Sequence, residues 1–70
     1  MKIIDNLATN LKLLRETKGY SQEDLAHKSG LHRTYISGIE RKRKNPTVSI
    51  IQELALSLEV SPCELIKDKK

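Results

Sequence analysis

The stretch Ser21–Pro46, SQEDLAHKSGLHRTYISGIERKRKNP, decides the fold, because it contains the start and stop signals of two short helices in succession. Ser21 is a favourable N-cap residue, and Asp24 three positions later supplies the acid of a capping box. The first of the two helices is therefore predicted to begin after Ser21 and to end near Gly30. A helix this short does not persist alone in water, so it must pack on neighbouring segments.

The second helix is predicted over residues 32–40, and a basic loop follows it over residues 41–45. Pro46 closes this loop, because a proline biases the residue before it away from helical backbone angles. Gly38 lies in the middle of the predicted helix, where glycine is about 1 kcal/mol less favourable than alanine. Close packing is the expected reason for the glycine, and fraying of the helix end is the alternative.

Two longer helices flank this stretch. Residues 3–18 carry apolar side chains at helical spacing, and Gly19 after them is suited to a left-handed helix end. Thr47 is a favourable N-cap for a helix on the other side. The apolar stripe of that helix is formed by Val48, Ile51, Leu54, Ala55 and Leu58.

A fifth helix is predicted over residues 62–67. Ser61 is placed as its N-cap, and Pro62 is favourable at a first helical position. We therefore predict an all-α fold, a compact five-helix bundle that forms a single domain over residues 1–70. The polar residues 67–70 are expected to form a frayed tail.

The positive charge of the protein is concentrated in one segment. Leu31–Pro46 contains five lysines and arginines against one acid, Glu40, and so carries the whole formal net charge of +4. The remaining residues hold eight basic and eight acidic side chains, which balance. A neutral scaffold with one basic strip is typical of a protein that binds a polyanion, and the sequence pI of about 9.4 favours nucleic acid.

Composition argues against several other classes. No run of about 18 apolar residues occurs and no leader is recognisable, so we expect a cytoplasmic protein with no membrane partner. The single Cys63 excludes an internal disulfide, and no Cys/His spacing suits a metal. No acid–base pair, nucleophile constellation or phosphate loop is recognisable, so we expect no enzyme, no cofactor and no small-molecule ligand. Tyr20 and Tyr35 are the only aromatic residues, which favours a helix in a duplex groove over base stacking.

Four motifs occur in order, Ser21–Ala26, Ser29–Leu31, Tyr35–Glu40 and Asn45–Thr47, within a match that spans about residues 7–66. Together they resemble the Cro/phage-repressor helix-turn-helix family, also called the XRE family, in which two short helices and the turn between them contact DNA. Within that family, Arg33–Arg41 followed by Asn45–Thr47 is most similar to the small controller proteins of restriction–modification systems. The resemblance implies a lambda-repressor-like bundle whose second and third helices form the helix-turn-helix.

The resemblance also implies which residues contact duplex DNA. The third helix would enter the major groove, where base edges would be read by His32, Arg33, Thr34 and Tyr35. Phosphates would be contacted by Gln22, Ser37, Arg41, Arg43, Lys44 and Asn45. Glu40 would have a structural role, paired with Arg15 of the first helix.

Some of these assignments have a structural alternative. The ring of Tyr35 can pack over the turn instead of entering the groove, and His32 can be a surface residue at a helix start. Lys42 and Lys44 can be solvated loop charges that act only at long range.

The end of the fourth helix and the fifth helix carry more apolar surface than a small monomer buries. We therefore expect an isologous dimer interface made of Leu56, Val60, Cys63, Leu65 and Ile66. The predicted function is that of a homodimeric transcriptional regulator on a pseudo-palindromic operator, with RNA polymerase as a further partner at the promoter. The controller resemblance implies autoregulation and activation of an endonuclease gene. The alternative is an antitoxin or anti-repressor that uses the same fold to bind a protein.

Overall fold

Helices make up most of the computed structural model, which describes residues 2–68. They are α1 (Lys2–Thr17), α2 (Gln22–Ser29), α3 (Arg33–Glu40), α4 (Val48–Leu58) and α5 (Pro62–Ile66). No strand occurs within residues 2–68, so the predicted all-α, five-helix architecture is confirmed. None of the helices in that range has the length and apolar character needed to span a bilayer.

The helix starts follow the capping signals of the sequence. Ser21 Oγ accepts a hydrogen bond from the Asp24 amide, and the Asp24 carboxylate accepts one from the Ser21 amide, both at 2.9 Å. The bond from the Ser21 amide is the main reason that the pKa of Asp24 is lowered. Thr47 Oγ1 caps α4 by accepting from the Ile50 amide at 3.3 Å. Ser61 occupies the N-cap position of α5, but its side chain makes no capping bond.

Side chains from every helix meet in one core. Its buried members are Leu7, Leu11, Leu25, Ile36, Ile39, Leu54, Ala55, Leu58 and Leu65. Leu65 is 0% exposed, so it is a core residue, and its prediction as part of a dimer interface is wrong. The amphipathic pattern showed that this position is apolar but not that α5 buries it against its own protomer.

Two asparagines of α1 hold α5 and the residues after it. The buried Asn10 amide donates to the carbonyl oxygens of Leu65, at 3.0 Å, and Lys67, at 2.9 Å. Asn6 Nδ2 donates to the Asp68 carboxylate at 3.0 Å. The tail that was predicted to fray at 67–70 is therefore bonded to α1 at residues 67 and 68, and Lys69 and Lys70 lie outside the described residues.

Three helices end in a Schellman motif around a left-handed residue. The φ angles of these residues are 78° at Gly19, 63° at Lys42 and 59° at Glu59. In each motif the next amide donates back to a carbonyl oxygen (Tyr20 to Arg15, Arg43 to Gly38, Val60 to Ala55). Left-handed angles place the Cβ of an L-residue close to a carbonyl oxygen and cost about 1–2 kcal/mol. Two of the three motifs therefore carry strain that glycine would remove.

Replacing either strained residue by glycine should stabilise the protein. We expect Lys42→Gly and Glu59→Gly each to raise the free energy of unfolding by about 0.5–1 kcal/mol, since the relief of strain exceeds the loss of an exposed ion pair. Urea unfolding followed by circular dichroism measures the change. Thr17→Gly, at an exposed position with right-handed helical angles, is the control and should destabilise. A loss of stability in all three variants would contradict the strain argument.

Candidate nucleic-acid interface

A buried ion pair fixes α3 against α1. Arg15 Nε donates to Glu40 Oε2 at 2.8 Å, and Arg15 Nη2 donates to Glu40 Oε1 at 3.1 Å. The two side chains are 9% and 6% exposed. The third guanidinium nitrogen donates to the carbonyl oxygen of Tyr20 at 2.8 Å. The hydrogen bond to Glu40 raises the pKa of Arg15 although its burial opposes this, and the expected Glu40–Arg15 pairing is confirmed.

Gln22 connects this ion pair to the surface. Its amide nitrogen donates to Glu40 Oε1 at 3.0 Å, so its oxygen faces outward. Arg33 Nη1 donates to that oxygen at 3.5 Å, which is a long and weak contact. Gln22 is half-buried and retains one amide hydrogen for the phosphate contact predicted for it.

The predicted base-contacting residues lie at the start of α3. His32 is the N-cap residue, and its side chain makes no capping bond. His32, Arg33 and Thr34 are exposed, whereas Tyr35 is half-buried against the core. The opposite face of α3 is buried through Ile36 and neighbouring apolar residues. The first turn of this helix therefore presents three of its four predicted base contacts to solvent.

A shallow cleft of about 420 Å³ lies between α3 and the loop that follows it. Its lining residues are Arg33, Thr34, Ser37, Gly38, Arg41, Arg43 and Lys44. Six of these were predicted as DNA contacts, and together they bring four cationic groups and two hydroxyls around one concave surface. Asn45 is exposed and lies beyond the lining, as do His32 and Tyr35.

The basic loop divides its charges between two sides. Lys42 Nζ pairs with Asp5 of α1 at 3.2 Å, away from the cleft. The aliphatic part of Lys44 lies on Gly38, and its ammonium is 5.9 Å from the centroid of the Tyr35 ring. The close packing expected at Gly38 is confirmed. The glycine was visible in the sequence, but nothing in the sequence indicated which side chain it would accommodate.

The predicted dimer surface is smaller than expected. Leu56 is 64% exposed, and Cys63 is exposed. Val60 and Ile66 are half-buried against the core. With Leu65 in the core, Leu56 is the only large apolar side chain of the predicted set that is mostly exposed.

Acidic, histidine and cysteine side chains form no cluster of three or more that could hold a metal within residues 2–68. A second concavity, at the turn between α2 and α3, is lined by Ala26, His27, Gly30, Leu31, His32 and Arg33. It adjoins the cleft through Arg33, so both concave surfaces lie on the side of the molecule formed by the two short helices.

Breaking the ion pair from one side should destabilise the fold strongly. Glu40→Ala leaves Arg15 charged and buried without its partner, and we expect a loss of about 3–5 kcal/mol in the free energy of unfolding. The double variant Arg15→Met, Glu40→Leu removes both charges and should recover most of that loss. Urea unfolding of the single and double variants measures both values. A loss below about 1 kcal/mol for Glu40→Ala, the range of exposed pairs, would contradict the structural role of the pair.

The chain is similar in sequence and in structure to several known proteins. A hypothetical transcription factor from Neisseria meningitidis is 48% identical over 60 residues, which cover 86% of this chain and 57% of that protein. The crystal structure of a hypothetical transcription factor from Neisseria superposes with a TM-score of 0.89 at 45% identity over 91% of this chain and 74% of that one. The chain thus spans little more than half the full length of the Neisseria protein.

Two further relatives are restriction–modification controllers. The control protein C.SmaI from Serratia marcescens is 46% identical over 66 residues, which cover 94% of this chain and 79% of that protein. The controller protein C.Esp1396I, solved as a tetramer in complex with its natural 35 base-pair operator, has a TM-score of 0.81 at 46% identity. This match covers 84% of this chain and 78% of that one. A family model described as helix-turn-helix matches residues 11–65, and the chain belongs to this helix-turn-helix family, of the Cro/phage-repressor (XRE) type.

Proposed function

We propose that the protein is a sequence-specific transcriptional regulator that binds duplex DNA through α3 and the loop after it. The observation that carries this proposal is the cleft, which Arg33, Arg41, Arg43 and Lys44 line together with the hydroxyl groups of Thr34 and Ser37 on one face of a short helix. A helix of this kind fits the major groove, and the surrounding cations suit the phosphates on either side.

Arg33 is the residue we assign to direct base recognition. It is exposed at the first position of α3, and its contact with Gln22 uses one guanidinium nitrogen. The remaining nitrogens are free to donate to the O6 and N7 atoms of a guanine, a pairing worth about 1–3 kcal/mol of discrimination. Thr34, His32 and Tyr35 stay proposals for neighbouring base contacts.

We propose that the protein acts as a homodimer. The exposed Leu56 is the centre of the proposed interface, with Val60, Cys63 and Ile66 around it. A two-fold axis through this surface would make the two α3 helices equivalent, so that a pseudo-palindromic operator would present half-sites about 34–36 Å apart.

The relatives support a more specific setting. C.SmaI and C.Esp1396I are controller proteins, and the latter binds its own operator as a tetramer. We propose that this chain likewise controls a restriction–modification system, repressing its own promoter and activating the endonuclease gene by contact with RNA polymerase.

Two alanine substitutions should separate specificity from affinity. Arg33→Ala should weaken binding to the preferred operator by about 1–3 kcal/mol and relax the preference at one base pair, because a base contact is lost. Arg43→Ala should weaken binding to all DNA sequences alike, and it should flatten the slope of log K against log salt by about one unit. Competition gel shifts measure both, with an operator selected from random duplexes and with random duplex as the control.

The same gel shifts test the proposal as a whole. If the wild-type protein selects no palindrome over random duplex, sequence-specific recognition is refuted. If Arg33→Ala weakens binding to the operator and to random duplex equally, Arg33 does not read a base.

A charge placed on the proposed interface should prevent dimerisation. Leu56→Lys would bring two ammonium groups together across the two-fold axis, and we expect a monomer in sedimentation equilibrium at concentrations where the wild type is a dimer. Val48→Lys is the matched control, since Val48 is also on α4 and is 81% exposed. Unchanged dimerisation of Leu56→Lys, or an equal loss in both variants, would contradict this interface.

A further inference from the structure

Gly38 is a buried glycine within the third helix, and its environment explains why a larger residue is absent. A Cβ atom at this position would lie 2.7 Å from Cγ of Lys44. That separation is shorter than a carbon–carbon contact permits. The close atom is near the base of the Lys44 side chain, so that side chain could not stay in place beside an alanine.

The backbone after α3 returns directly over this glycine. Lys42 takes left-handed angles, with φ of 63°, and its amide donates to the carbonyl oxygen of Ile39 at 3.0 Å. The Arg43 amide then donates to the carbonyl oxygen of Gly38 at 2.7 Å. These bonds bring the next residue, Lys44, onto the surface of the helix instead of leaving it in an open loop.

The side chain of Lys44 is held at both ends. Its stem contacts Gly38, with Cε and Cδ at 3.4 and 3.6 Å from the position of a Cβ there. Its ammonium lies 5.9 Å from the centroid of the Tyr35 ring, within the range of a cation–π interaction. The side chain of Lys44 is therefore held along the cleft, whose lining also includes Thr34 and Ser37.

We propose that Gly38 is a positioning residue for DNA binding, which seats Lys44 so that its ammonium contacts one backbone phosphate of the duplex. The inference rests on the proposed function and adds to it a residue that touches no DNA. A lysine already held in place loses less side-chain entropy on binding than a free one. We do not assign a phosphate contact to Lys42, because it pairs with Asp5 on the other side of the loop.

The test compares the salt dependence of DNA binding in variants that differ in charge and in position. Lys44→Met removes the charge and should flatten the slope of log K against log salt by about 0.9, the value for one phosphate contact. Gly38→Ala changes no charge, yet it should flatten the slope by a similar amount because it displaces Lys44. The double variant Gly38→Ala, Lys44→Met should show the same slope as either single variant, because both changes remove the same phosphate contact. Lys28→Met is the matched control, since Lys28 also lies over a tyrosine, 4.9 Å from the Tyr20 ring, but outside the cleft.

A further variant tests the position of the Lys44 charge without changing any residue of α3. Exchanging two loop residues, Lys44→Asn with Asn45→Lys, preserves the net charge and leaves Gly38 intact. The inference predicts that this exchange lowers the slope as Lys44→Met does. Unchanged slopes for the exchange and for a folded Gly38→Ala variant would mean that Lys44 acts only as a diffuse charge, and would overturn the inference. A wild-type protein that shows no preference for any duplex sequence would instead refute the proposed function.

Discussion

The carboxylate of Glu40 is the constraint on which the arrangement of the proposed DNA-binding surface depends. It accepts hydrogen bonds from Arg15 of α1 and from Gln22 of α2, and it lies at the last residue of α3. One buried group therefore fixes three helices relative to one another. Because a buried charge that loses its partner is strongly unfavourable, the carboxylate resists any shift of α3 away from α1. The orientation of the exposed face of α3 follows from this restraint.

The charged residues of the loop after α3 have different structural partners on its two sides. Lys42 adopts strained backbone angles and pairs with α1, whereas Lys44 lies back on α3 beside Tyr35. The segment that carries the formal charge of the protein is therefore divided into a part that joins helices and a part that lines the cleft. We propose that Arg33 supplies specificity, while the residues around it supply affinity and register.

The sequence predicted the helices well because their signals are local. Ser21, Asp24 and Thr47 cap the helices that they were expected to cap. Apolar spacing identified most of the buried face of α4, but Val48, which was predicted on that face, is 81% exposed. It failed where contacts join distant segments. Leu65 is in the core because Asn10, 55 positions earlier, bonds its carbonyl oxygen and holds α5 on α1. The partners of Lys42 and Lys44 depend on a left-handed turn formed without glycine, which residue preferences do not indicate.

Within the candidate site, six of ten predicted contacts line one cleft, since they share a single short stretch of chain.

The most direct test of this account is an NMR titration of the 15N-labelled protein with a duplex selected for tight binding. We expect the amide shifts to concentrate at residues 22–23 and 32–45, with the amides of residues 2–13 in α1 almost unchanged. The Arg15 side-chain signals should persist in the complex, since the Arg15–Glu40 pair is already formed in the free protein. Shifts centred on α1 or on the outer face of α4, with α3 unaffected, would refute DNA binding through α3.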